Sequence, residues 1–293
     1  MTNYLVYHIA SGQAFFSGVA LIVLAVIVPQ SHGSRWLALS RTVAGFLGLS
    51  LIVLSATPLP VWCYLVAGAI SLTWIMSGYS LWLRSHSPVQ WFRCAMLSAC
   101  VICVLLEIPY HITPALPRLE YPTIDVIGDS ISAGMNAEAE NWPGILARRH
   151  HVIVNDLSRS GATVASATKE QAGRLYVPGA LVIAEIGGND VLSDTTPESF
   201  ELGLDALLSR LREGNRTVVM LELPLPPFYN KFGAAQRRSA RRHGVVLIPK
   251  RVLLGVMTTD GATLDSVHLT PSGHELMAEV IWEVIREAAG PKH

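Results

Sequence analysis

Residues Thr123–Gly134 read TIDVIGDSISAG, and the reading of this stretch decides the fold. Thr123–Ile127 is a short apolar run rich in β-branched residues, the composition of a strand. It stops at Gly128-Asp129-Ser130, after which small residues take over. A serine at that point has two readings: a nucleophile at the end of a strand, or an N-cap at the start of a helix. The local sequence leaves both open. The rest of the chain must supply, or withhold, the groups a nucleophile needs.

Downstream, apolar runs alternate with stretches of helical spacing. Strands are expected at Val152–Asn155, Leu181–Ile186, Thr217–Leu223 and Val245–Ile248. Helices are expected at Trp142–His150, Val164–Arg174, Pro197–Arg212, Ala234–His243 and Ser272–Ala288, with Pro197 suited to a first turn. Strands alternating with helices of this length imply βαβ units and an α/β fold with a parallel sheet. Near-continuous apolar strands fit a sheet covered on both faces. In such sheets ligands bind beyond the carboxyl ends of the strands. The helpers of a catalytic Ser130 should therefore follow strand ends.

Three segments meet that requirement: DLSRSGAT at Asp156–Thr163, GGND at Gly187–Asp190, and DSVHLT at Asp265–Thr270 before the last helix. A serine nucleophile needs a base within hydrogen-bond reach and an acid behind that base. His268 can be the base, and Asp265, three residues earlier, can orient it. A tetrahedral intermediate needs donors aimed at its oxyanion; the backbone amides of Ser130 and Gly161 and the Asn189 side chain can provide them. His274 is the rival histidine, but PSGHELM places it at a helix start and favours packing. His150 and His151 read as a surface connection, and Asp129 and Asp190 as residues that shape loops. Glu185, inside an apolar strand, is either structurally paired or a support behind the site. The histidines and acids lack zinc-type spacing, so neither a metal nor a cofactor is expected.

GDS at 128–130, Gly161, GGND at 187–190 and D-x-x-H at 265–268 together resemble the four blocks of the SGNH (GDSL-type) hydrolase superfamily. The resemblance covers Thr123–Ala288. It extends to the bacterial arylesterase, thioesterase and lysophospholipase members through GDSISAG, WPGILARR and ELPLPPFYN, with Ile131 standing where leucine is commoner. It implies a three-layer α/β/α, flavodoxin-like domain. It also implies Ser130 as nucleophile, His268 as base oriented by Asp265, and an oxyanion hole of Ser130, Gly161 and Asn189. No G-x-S-x-G elbow of the other serine-hydrolase type occurs.

The chain upstream of this stretch has a different character. Overall 51% of residues are hydrophobic and only 15% charged, against about 25% in soluble domains. Of the 22 basic and 22 acidic residues, four arginines and one glutamate fall in residues 1–110. That leaves 18 and 21 in the remainder, a soluble balance near −3 with no sign of a nucleic-acid partner. Four apolar segments, Tyr4–Val28, Trp36–Ala56, Val61–Leu83 and Val89–Ile108, have the length of membrane spans. The N-terminus lacks the basic region of a signal peptide. All four cysteines lie in this part, and the Cys100/Cys103 pair reads as buried small hydrophobes rather than a redox site. Polar residues within the spans fit interfacial anchoring and helix–helix hydrogen bonds.

The expected organisation is thus an all-α transmembrane region of about four helices over 1–112, followed by a hydrolase domain over 113–293. Arginines at 35, 41, 84 and 93 put their loops in the cytoplasm. This predicts a multi-pass protein of a bacterial cytoplasmic membrane with its catalytic domain outside. The connection Ile112–Pro122 spans at most about 40 Å, so the expected substrate is an acyl ester of a lipid, a lipid-linked molecule or an envelope polymer. The chain enters the first strand at its amino end while Ser130 follows the carboxyl end, which would hold the site away from the membrane unless the domain lies on its side. The leading function is a serine ester hydrolase. The alternatives are an O-acyltransferase to an envelope glycan or lipid, using the same residues, and a non-catalytic binding module. In LPLPPFYNKF, Phe228 and Tyr229 are candidate acyl-pocket residues, with a packed surface loop as the other reading. In QRRSARRHG, Arg237, Arg238, Arg241 and Arg242 form either a solvated helix face or a surface for anionic groups.

Overall fold

Alternation along the strands of residues 123–248 builds the sheet and divides its two faces. The computed structural model describes residues 4–28, 35–66, 68–69, 88–119, 123–135, 139–175 and 177–289. Contacts divide the chain into two units: His8–Pro109 with Pro226–Asn230, and Met1–Tyr7 with Tyr110–Leu225 and Lys231–His293.

After α1 (Tyr4–Ala10), whose residues divide between the two units at Tyr7, the first unit holds α2 (Gln13–Ile27), α3 (Arg35–Leu54) and α4 (Pro88–Glu107). Among the described residues two helices, Arg35–Leu54 and Gln90–His111, are long and apolar enough to cross a membrane. The segment expected as a first span is instead bent by 83° between α1 and α2. Gly12 adopts a left-handed φ of 85° there, and the Ser11 hydroxyl accepts from Gln13 N, so the α-helical ladder is interrupted. Most of the expected segment Val61–Leu83 lies outside the described residues. The α2 and α3 helices meet through two glycines: a Cβ on Gly18 would lie 2.6 Å from Gly48 O, and one on Gly48 2.7 Å from Gly18 O. Small residues permit that approach between apolar helices. Arg41, buried in α3, donates from Nε to Ala25 O at 3.1 Å, the helix–helix hydrogen bonding expected of polar groups there.

In the second unit the strands are β1 (Thr123–Gly128), β2 (Ile153–Asp156), β3 (Leu181–Glu185), β4 (Thr217–Leu221) and β5 (Val246–Ile248). They form one parallel sheet of order β2-β1-β3-β4-β5. The helices are α5 (Ser130–Ala133), α6 (Trp142–His150), α7 (Val164–Glu170), α8 (Gly188–Leu192), α9 (Pro197–Arg212), α10 (Asn230–Arg242), α11 (Lys250–Met257) and α12 (Pro271–Ala289). Val182, Ala184, Val218 and Met220 face Phe200, Leu204 and Leu207 of α9. The alternate residues Leu181, Ile183, Val219 and Leu221 face Trp142, Leu146, Met277 and Ile281 of α6 and α12. The period of two on strands buried from both sides makes the three-layer α/β/α sandwich. Strand order reverses between β1 and β3, the switch point where such folds open a crevice. Ser130 and the GGND segment lie on its two sides.

Candidate active site

Ser130 is the first residue of α5, and the capping role belongs to its neighbour. Asp129 Oδ1 accepts from Ile131 N at 3.0 Å. Ser130 is buried, and among the described residues its hydroxyl has no hydrogen bond. The strand end beneath it is clamped. Gln171, itself buried, accepts from Gly128 N at 3.1 Å and donates to Gly128 O at 3.0 Å, and Arg159 N donates to the same carbonyl at 3.1 Å. Glycine at 128 allows this close approach, because a Cβ would lie 2.5 Å from Ser132 Oγ and 2.6 Å from Ser132 Cβ.

Behind this turn sits Glu185, the last residue of β3 and fully enclosed. Its backbone carbonyl accepts from Asp129 N at 3.2 Å, and its Oε2 accepts from Ser132 Oγ at 2.8 Å. Burial first, and the neighbouring Asp129 second, push the Glu185 carboxyl well above the usual carboxylate range. Asp129 is pushed up to about 6, chiefly by burial; the Ile131 amide and the charge of His268 act in the opposite sense. His268 is therefore near enough to the Ser130 turn to be felt there electrostatically.

The oxyanion candidates converge on the same crevice. Among the described residues neither Ser130 N nor Gly161 N has an acceptor. Gly161 is in the left-handed region at φ 74° with open space where a Cβ would be. Asn189 Nδ2 donates to Ala162 O at 2.9 Å and to Asp129 Oδ2, beside Ser130, at 3.4 Å; the shorter bond orients the amide, and the longer one must yield for its second N–H to serve an oxyanion. Asp190 Oδ2 accepts from Val164 N at 2.9 Å, which ties GGND to the segment carrying Gly161. Asp129 and Asp190 thus shape loops, as expected.

Asp265 and His268 lie on a loop closed by a Thr263–Leu269 bridge. Asp265 Oδ2 and His268 Nδ1 are 2.7 Å apart, while Asp265 Oδ1 accepts from His268 N at 2.9 Å and Val267 N at 3.1 Å. The His268 amide first, then its imidazole and the Val267 amide, bring the Asp265 carboxyl down to about 2. No hydrogen bond joins His268 to Ser130 in this structure. His274 is buried, its pKa lowered by burial, and its Nδ1 accepts from Trp142 N at 3.3 Å; it holds the start of α6.

Other expectations resolve differently. Phe228 is 73% exposed and Tyr229 42%, so neither is enclosed in a pocket. Of the α10 arginines, Arg237 is buried against Glu222 at 2.6 Å, and Arg238 and Arg242 pair with Glu201 and Asp205 of α9. Most of the basic face is therefore consumed inside the domain. The roles of Gln171 and Ser132 were absent from the sequence reading: Gln171 lies 43 residues from Gly128 and carries no local signal. Among the described residues, no three His, Cys, Asp or Glu side chains converge as metal ligands would.

Comparison with known proteins accords with this geometry. Residues 126–276 match the GDSL-like Lipase/Acylhydrolase family. Esterase TesA of Pseudomonas aeruginosa is 27% identical over 207 residues, covering 66% of this chain and 98% of the relative. The arylesterase of Vibrio mimicus is 29% identical over 169 residues, 53% of this chain and 84% of its own. The crystal structure of the psychrotrophic esterase EstA from Pseudoalteromonas sp. superposes with a TM-score of 0.51 at 23% identity, over 57% of this chain and 97% of that one, and shares the fold. With more than half of its length matched, the chain belongs to the GDSL-like lipase/acylhydrolase family and is an ester-hydrolysing enzyme of it.

Proposed function

We propose that the chain is a membrane-anchored serine ester hydrolase working through an acyl-enzyme on Ser130. The observation that carries this reading is the 2.7 Å Asp265–His268 bond on a loop at the same sheet edge as an unbonded serine hydroxyl. With Nδ1–H held by Asp265, His268 Nε2 is the free acceptor. It takes the proton from Ser130 Oγ as that oxygen attacks the ester carbonyl. The oxyanion forms against Ser130 N, Gly161 N and Asn189 Nδ2. His268 then returns the proton to the leaving alcohol as the C–O bond breaks. Water, deprotonated by the same imidazole, hydrolyses the acyl-enzyme and restores Ser130. The helices Arg35–Leu54 and Gln90–His111 support anchoring. Arg35 at the start of α3 and Arg93 near the start of α4, with Arg84 between those helices in the sequence, support a cytoplasmic-membrane protein with its catalytic domain outside, and a short connection supports a lipid or envelope acyl ester as substrate.

The test is turnover of p-nitrophenyl butyrate by the full-length protein and its Ser130→Ala variant, with fluorophosphonate labelling in parallel. The variant is expected to lose about 10⁴-fold or more of the rate and all labelling. Undiminished turnover by Ser130→Ala overturns the assignment.

A further inference from the structure

Gly128, two residues before Ser130, is held from two sides, and only one of them is a regular strand pairing. Toward β3 it pairs in register with Glu185, and Asp129 N donates to Glu185 O at 3.2 Å. Toward β2 the ladder runs out. Its last paired residues are Val126 and Asp156; beyond them Leu157 N reaches Val126 O at 2.9 Å and Arg159 N reaches Gly128 O at 3.1 Å. The Gly128 N–H is met by a side chain instead. Gln171 Oε1 accepts from it at 3.1 Å, and Gln171 Nε2 donates to Gly128 O at 3.0 Å. A primary amide offers the same acceptor and donor as a peptide group, so buried Gln171 stands where a further residue of β2 would have continued the sheet. The chain can then leave β2 after Asp156 and enter the loop that carries Gly161, while the end of β1 stays fixed.

The same side chain also anchors that loop. Gln171 closes α7, its N–H donating to Ala167 O at 3.0 Å. The other end of this seven-residue helix starts from Thr163, two residues after Gly161, which shares a capping box with Ser166. Val164 N donates to Asp190 Oδ2 at 2.9 Å, so the helix is fixed at its start as well. Arg159, two residues before Gly161, is the residue bonded to the Gly128 carbonyl. Gly128 is thus a common reference point for two parts of the reaction: Ser130 follows it directly along the chain, and the Gly161 loop is tied to it at both ends, through Arg159 and through α7 and Gln171.

We infer that Gln171 is a positioning residue that sets Ser130 Oγ against the Gly161 amide of the oxyanion hole. It acts through Gly128 and α7, not on the substrate. Because the oxyanion exists only in the transition state and the intermediate, loss of this setting lowers kcat and leaves KM little changed. The inference rests on the reading of Ser130 as nucleophile, which fluorophosphonate labelling of the parent protein at Ser130 tests separately. Full-length Gln171→Met and Gln171→Glu are assayed on p-nitrophenyl butyrate, and kcat is expressed per fluorophosphonate-labelled site, so that unfolded protein does not count. Methionine keeps the bulk and removes both bonds; kcat per labelled site should fall on the order of 100-fold. Glutamate in its acid form restores the same acceptor and donor, whereas its carboxylate would face the Gly128 carbonyl. Its kcat, as a ratio to the parent at the same pH, should therefore exceed that of Gln171→Met and approach the parent as pH is lowered from about 9 to about 6. An unchanged kcat per labelled site in Gln171→Met, a loss confined to KM, or Gln171→Glu as slow as Gln171→Met at every pH overturns the proposal.

Discussion

Replacing Gly128 by alanine should disable Ser130 without altering any group that meets substrate. The added Cβ would lie 2.5 Å from Ser132 Oγ, 2.6 Å from Ser132 Cβ and 3.3 Å from Glu185 O. The hydroxyl can rotate away, but the Ser132 Cβ is fixed by the α5 backbone. Restoring an ordinary contact therefore moves α5 by about 1 Å, and Ser130, two residues earlier, moves with it. Misplacement on that scale costs on the order of 100-fold in rate, or about 2.7 kcal/mol of transition-state stabilisation. The assay is kcat/KM on p-nitrophenyl butyrate with the full-length protein, beside thermal unfolding. Ser132→Gly removes both clashing atoms, so the double variant should recover most of the lost rate. Ser132→Gly alone also removes the 2.8 Å bond to Glu185, worth about 1–3 kcal/mol of stability when a buried partner is left unpaired, which is why stability is followed separately. Gly128→Ala working at the parent rate, or a double variant no faster than Gly128→Ala, refutes the reasoning.

Two further outcomes follow from the carboxylates. Asp265→Asn keeps an acceptor for the His268 and Val267 amides but offers an N–H to His268 Nδ1, forcing the proton onto Nε2; kcat on the same ester should fall about 10⁴-fold with little change in thermal stability. Asp129, raised from 3.8 to about 6, binds its proton more tightly in the folded protein. Stability should therefore fall as pH rises from about 4 to 6, by on the order of 3 kcal/mol when complete, and be regained on acidification through the same window. In Asp129→Asn that part of the pH dependence, read by chemical denaturation at a series of pH values, should vanish.

The parts of this fold legible in the sequence are those written in local periodicity. Pro197–Arg212 and Trp142–His150 occupy the expected helices to the residue, because a proline or a capping asparagine marks each start. Helix α11 went unseen: Lys250–Met257 follows Pro249 and a three-residue strand, and its short apolar run has no period long enough to separate helix from strand. The bend between α1 and α2 is set by one left-handed glycine inside an otherwise apolar segment, which hydropathy does not register. At the site, Ser130, Gly161, Asn189, Asp265 and His268 announce themselves through motif and order along the chain. Gln171 does not, since a buried amide that clamps a strand end is recognisable only once the strand and the amide are adjacent. Arg237 read like Arg238 and Arg242 on one helix, and only packing separates a buried partner of Glu222 from two exposed partners of Glu201.

Glu185 shows why a strand otherwise apolar carries an acid behind a nucleophile. The Ser132 hydroxyl is buried with it and needs an acceptor; leucine at 185 would leave that hydroxyl unpaired, at a cost of about 1–3 kcal/mol. A carboxylate would meet the same need, but its charge would stand beside Asp129 and oppose the oxyanion forming at the Ser130 and Gly161 amides. Burial and the proximity of Asp129 both favour the protonated form instead. Among the described residues its Oε1 is enclosed and has no hydrogen-bond partner, and the hydrogen bonds the carboxyl does receive do not offset its burial. With Glu185 protonated, the negative charge of the pair falls on Asp129, where the Ile131 amide and His268 offset it. The low dielectric that strengthens the oxyanion donors thus also favours the neutral form of the acid behind them.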